Sequence, residues 1–103
     1  MIKLISSQRY IDEKTVTQKI EEKDFTVLLS PVFEIDGQKY QVIMDGHHSY
    51  HAAKETGVKP NYIIQTAQTN DKIALLKKNI DEFLEAAWID SNWYEIETGI
   101  NIF

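Results

Sequence analysis

Phe33-Glu34-Ile35-Asp36-Gly37-Gln38-Lys39-Tyr40-Gln41-Val42-Ile43-Met44-Asp45-Gly46-His47-His48-Ser49-Tyr50-His51-Ala52-Ala53 is the stretch whose reading decides the fold. Asp36-Gly37 is a strong type I′ turn signal, because both central positions of that turn need positive φ. A two-residue loop there pairs Ile35 with Gln38, Glu34 with Lys39 and Phe33 with Tyr40. The charge pair and the aromatic pair each contribute about 0.2–1 kcal/mol. In this register Phe33, Ile35, Tyr40, Val42 and Met44 share one face, which is the expected core face. The second strand ends at Asp45-Gly46, and a helix is predicted from about His47 to Thr56. Gly57 suits its left-handed C′ position, with Val58 beyond, and Pro60 prevents continuation. A helix start leaves N–H groups unpaired and carries partial positive charge. A glycine at the corner lets a ligand approach the backbone closely, so the corner has the character of an anion site, phosphate being the usual anion.

Outward from this stretch, residues 1–5 alternate weakly and suit a short strand. Asp12 is a plausible N-cap for a short helix that reaches about Lys23, with Val16 and Ile20 on one face. Pro31 cannot donate to a ladder and predicts a strand edge or break near Ser30. Asn61 to Gln65 reads as a short, mostly buried strand. Ile73, Leu76, Ile80, Phe83, Leu84 and Ala87 follow helical spacing, which predicts one amphipathic helix capped by Thr69 or Asn70 and ended at Asp90-Ser91-Asn92. Tyr94, Ile96, Ile100 and Ile102 then alternate with polar residues or glycine, as in a strand that pairs within the chain or with a neighbouring one. The expected architecture is α/β (α+β): one domain over residues 1–103, with a small mixed sheet and two to three helices.

At 103 residues, 43% hydrophobic and 26% charged, the composition is that of an ordinary globular domain. There is no cysteine, which excludes disulfides, thiolate metal sites and cysteine nucleophiles. No run approaches membrane-spanning length and the N-terminus is too short for a signal segment, so a cytoplasmic protein without a membrane partner is expected. The net charge of −5 is uneven, because residues 81–103 hold six acids and no base. That acidic end opposes broad binding to nucleic-acid backbone. It is either a solvated face or a surface for a basic protein partner.

The central stretch holds all three histidines. His47 and His51 are four apart and His48 and His51 three apart, spacings at which two residues of a helix can share a metal, with Asp45 as a further ligand. The competing reading has His48 or His51 packing or hydrogen bonding at the corner. Ser49 stands in the first turn, to donate to a phosphate or to cap the helix. Asp45 either holds Mg²⁺ beside a phosphate, orients a histidine, or bonds backbone N–H groups at the turn.

Together these residues resemble the ParB/sulfiredoxin superfamily, in its stand-alone Asp-Gly-His-His variant. The resemblance is strongest over residues 4–64, with 69–103 as a helix plus acidic tail. It rests on the order Arg9-Tyr10 before a short helix, Leu28-Leu29-Ser30-Pro31-Val32, a hairpin, then Asp45-Gly46-His47-His48 before a helix ending in glycine. It implies a nucleotide or phosphate group at the Asp45/His47 corner, bound by Arg9, Ser30, Pro31, Asp45, Gly46, His47, His48 and Ser49. A nucleoside triphosphate with Mg²⁺ is the implied cofactor, and Asp45 and His48 are the catalytic candidates. The family's reactive cysteine would fall at His47, so sulfiredoxin chemistry is excluded. Its phosphate-clamping arginine is Ser49 here, which removes a bidentate contact. No helix-turn-helix region follows, which sets the chain apart from full partition proteins. Two other expectations stand beside this one. The first is a metal-dependent nuclease or nucleic-acid-binding protein using the histidines and Asp45. The second is a non-catalytic module that forms a homodimer or meets a protein partner through its C-terminal segment. For the phosphate reading, a bulky residue at Gly46 is expected to abolish binding and spare the fold.

Overall fold

The middle of the molecule is a strand, Gln38–Asp45, that pairs with three others. The structure, a computed structural model, describes residues 1–103. In chain order the elements are β1 (Ile2–Ser6), α1 (Glu13–Glu22), β2 (Thr26–Leu29), β3 (Phe33–Ile35), β4 (Gln38–Asp45), α2 (His47–Thr56), β5 (Asn61–Ile64), a 3₁₀ segment (Asp71–Lys77), α3 (Ile80–Ala87) and β6 (Tyr94–Glu95). They form an α+β fold with one six-stranded mixed sheet in the order β5-β2-β4-β1-β6, and β3 also pairs with β4.

β1 runs parallel to β4, with Ile5 beside Val42. Two strands share the other side of β4. β3 pairs with its first half in the register read from the sequence, Phe33 with Tyr40, Glu34 with Lys39 and Ile35 with Gln38. Asp36 and Gly37 have φ of 51° and 82°, as the type I′ turn requires. β2 pairs with the second half, Leu29 beside Ile43 and Leu28 beside Asp45. Pro31 lies in the break between β2 and β3. Ser30 carries the ladder across it: its N–H donates to Val42 O, and its buried Oγ accepts from Val42 N–H, both at 2.9 Å.

Each face of the sheet is covered. Ile5, Phe33, Tyr40 and Val42 pack with Ile73, Phe83, Leu84, Ala87 and Trp93, and Ile35 and Met44 close around them. Val27, Leu29 and Ile43 of the sheet pack with Tyr50 of α2. Ala52 and Ala53 are fully buried, which lets α2 lie close to its neighbours. α1 begins at its expected cap, where the Asp12 side chain accepts from Lys14 N–H, and it buries Val16. Fully burying a side chain such as Phe83 contributes about 1.5–3 kcal/mol. No helix is long and apolar enough to cross a membrane.

Three details differ from the sequence reading. The amphipathic run is two pieces, a 3₁₀ segment capped by Asn70 and then α3. Asn79 divides them, with extended backbone (φ −161°, ψ 119°) and a side-chain oxygen that accepts from the N–H groups of Asp81 and Glu82. A short amide side chain competes for backbone donors in this way and restarts the helix. β5 is not buried, because it lies at the edge of the sheet with all four residues exposed. The C-terminal alternation gives only a two-residue strand, β6, antiparallel to β1 of the same chain. Beyond it the chain turns at Gly99 (φ 75°) and returns to bridge Asn101 to Tyr94.

Replacing Asn79 with Ala removes a cap from an otherwise intact helix. The expected cost is about 1 kcal/mol, or about 4–8 °C in melting temperature, read by urea and thermal denaturation. An unchanged melting temperature means that the apolar face alone fixes the helix start.

Candidate functional site

The strand-to-helix corner lies where β4 passes into α2. Gly46 occupies the N-cap position with φ 91°, a left-handed conformation natural to glycine. A Cβ built on it would lie 2.5 Å from Thr26 O and 3.0 Å from Val27 Cα. The glycine is therefore required by the backbone of β2 pressing against the corner. The expectation that a bulky residue here removes binding and spares the fold is corrected by this contact. Asp45 uses one carboxylate oxygen to accept from Gly46 N–H at 2.7 Å, the turn-stabilising role among its possible ones. Glycine supplies no side-chain cap, so the first-turn N–H groups of α2 have none.

The histidines separate at this point. His47 is buried, and its Nε2 lies 2.6 Å from Ser6 Oγ, which also accepts from Gln8 N–H. Burial pushes the His47 pKa down to about 4, against the opposing pull of Asp45, so the ring is neutral at pH 7. His48 turns toward α1, where its Nε2 accepts the N–H of Asp12 at 3.1 Å. That nitrogen therefore carries a lone pair, and the ring ties the start of α2 to the start of α1. His51 sits edge-on to Tyr50, with its pKa lowered by burial and then by His48. No group of three or more His, Asp or Glu side chains is placed to share a metal ion.

Beside the corner is a cavity of about 190 Å³ lined by Lys19, Asp24, Thr26, Leu28, Asp45, Gly46 and Ser49. Lys19 and Asp24 form an ion pair at 3.0 Å. The hydrogen bond between them raises the Lys19 pKa and lowers that of Asp24, which also accepts from Thr26 N–H. Of the residues expected at the site, Asp45, Gly46 and Ser49 meet at this cavity. Ser30 and Pro31 do not, because β2 runs antiparallel to β4 and they follow its far end. Pro31 lines a different cavity, with Ile64 and Ile73. Arg9 is committed to the tail: its guanidinium stacks 3.9 Å over the Tyr94 ring and donates to Gly99 O and Asn101 Oδ1, both at 2.9 Å.

The residues that sequence reasoning missed are those far along the chain from the motif. Ser6 lies 41 residues before its partner His47 and Asp12 lies 36 before His48, so spacing gives no signal. Lys19 and Asp24 reach the cavity only through the packing of α1 on α2. No family model matches the sequence, and neither does any curated protein or any solved structure.

Two outcomes follow from this geometry. Gly46→Ala places a methyl group against Thr26 O at a positive φ, so it should destabilise by about 1–3 kcal/mol or more and lower the denaturation midpoint. For His47 the folded pKa of about 4 lies below the ordinary 6.5, so the unfolded chain binds the proton first. Its contribution to stability is complete above pH 6.5, declines as pH falls and is lost near pH 4. Urea titrations across that range should show the slope in the native chain and a reduced slope in His47→Gln.

Proposed function

We propose that this chain is a ParB/sulfiredoxin-like domain that binds a phosphate-bearing small molecule, in the first place a nucleotide, at the Asp45-Gly46-His47-His48 corner. One observation carries the reading. An α-helix start without a side-chain cap adjoins a polar cavity that also holds a lysine and a serine. Unpaired first-turn N–H groups attract an anion, and Lys19, paired with Asp24, brings an ammonium group to the same cavity. Ser49, at the third position of α2, offers a hydroxyl. His47 and His48 contribute backbone N–H groups, since their rings are engaged with Ser6 and Asp12.

Asp24 and Asp45 also line the cavity and oppose a bare anion. They suit a phosphate that arrives with Mg²⁺, a cation commonly held by one or two carboxylates and the phosphate itself. The reading is one of binding. His47 is buried against Ser6 and out of a ligand's reach, the Nε2 of His48 accepts from Asp12 N–H, and the arginine clamp is absent.

The test is a thermal-shift panel of ATP, CTP, GTP, ADP and inorganic phosphate, with and without Mg²⁺. A ligand at a hundred times its dissociation constant adds about 2.7 kcal/mol, a shift of several degrees. The shift should be selective for a phosphate-bearing compound and shrink in Lys19→Gln and Ser49→Ala. The first variant loses a partly exposed ion pair, and the second removes the hydroxyl of a buried side chain without burying a charge. No shift with any compound, or equal shifts in both variants, sinks the assignment.

A further inference from the structure

We propose that the outer edge of β5 is a self-pairing surface, at which two copies of this chain join antiparallel into one continuous sheet. The inference begins with backbone direction. Asn61 N–H donates to Phe25 O at 2.8 Å and Gln65 N–H donates to Leu29 O at 2.7 Å. Alternate residues of a strand point their backbone groups to opposite sides, so those of Asn61, Ile63 and Gln65 face β2. The N–H and C=O groups of Tyr62 and Ile64 point away from the sheet.

The edge is only four residues long, but it carries no other protection. Edges are ordinarily blunted by charge, proline, a bulge or a covering segment. Asn61 to Gln65 contains no charged residue and no proline. Tyr62, Ile63 and Ile64 are 40%, 47% and 56% exposed. The opposite edge of the same sheet is treated differently, because the tail folds back over β6 and bridges Tyr94 to Asn101.

A second copy of the same strand matches the pattern of outward groups. Two residues with free donors and acceptors, separated by one without, are complementary to themselves about a two-fold axis at Ile63. In that register Tyr62 faces Ile64 of the second copy and exchanges two hydrogen bonds with it, and the symmetry repeats the exchange. The two Ile63 side chains then meet as a close, non-hydrogen-bonded pair. Tyr against Ile is a favourable aromatic–β-branched pair, and Asn61 faces Gln65, so no like charges oppose each other along the strand. A junction this short falls at the small end of interfaces, below about 1,200 Å², so pairing is reversible and concentration-dependent.

Sedimentation velocity or light scattering across a dilution series into the high micromolar range tests the proposal. The mass should rise from the 12.0 kDa of one chain toward twice that value. Ile63→Lys sets two ammonium groups beside the axis at an exposed position. Ile64→Pro deletes an outward donor and leaves the bonds to β2 in place. Each should weaken self-association by about tenfold or more, with the circular dichroism of the monomer unchanged. If Ile64→Pro disturbs the fold, Ile63→Lys decides. A mass of 12.0 kDa at every concentration overturns the proposal and leaves the edge to an extended peptide of another protein. Association of equal strength in Ile63→Lys overturns it too, because the copies then meet elsewhere.

Discussion

The close approach of β2 to the corner at Gly46 is the contact on which the rest of the structure depends. Thr26 O and Val27 Cα occupy the space a side chain would need. This contact lets the chain leave β4 and enter α2 within one residue. It also sets α2 over Val27, Leu29 and Ile43, so that Tyr50 completes that side of the core. α1 takes its place from α2, because His48 holds the N–H of Asp12. One positive φ therefore organises the strand end, the helix above it and the helix beyond.

The parts legible in the sequence were those decided by near neighbours. The hairpin register follows from Asp36-Gly37 and a period of two, both complete within Phe33 to Asp45. The limits of α2 follow from Gly46 and Gly57. What escaped the sequence was decided by position in the fold. Tyr62-Ile63-Ile64 has a core composition, yet strand order places it at an edge, and composition does not encode strand order. Asn79 reads as one polar residue in a helical pattern, and only its bonds to Asp81 and Glu82 reveal the restart. At the candidate site, Asp45, Gly46 and Ser49 were legible because they are contiguous. Lys19 and Asp24 were not, since they come from the end of another helix and the turn after it.

The histidines show how composition misleads about chemistry. Three imidazoles within five residues suggest a metal or a proton relay. Helical geometry sends them apart, His47 into the sheet beside Ser6, His48 to α1 and His51 alongside Tyr50. An imidazole suits such joints because its ring packs like an aromatic while a nitrogen meets an isolated polar group. Every buried side-chain polar atom of the protein has a hydrogen-bond partner. Ser6, Ser7 and Ser30, all deeply buried, are part of that economy.

The clasp between Arg9 and the tail has a consequence for how the chain is made. Arg9 reaches Gly99 and Asn101 across 90 and 92 residues of sequence, and β1 lies between β4 and β6. During synthesis β1 leaves the ribosome before β4, whereas the groups that hold Arg9 and the strand β6 that flanks β1 are translated only after both. Contacts this distant in sequence carry the largest closure entropy and form late. The nascent chain can complete its hairpin and the β4–α2 corner early, while β1 keeps one side open until β6 and the segment after it have been made.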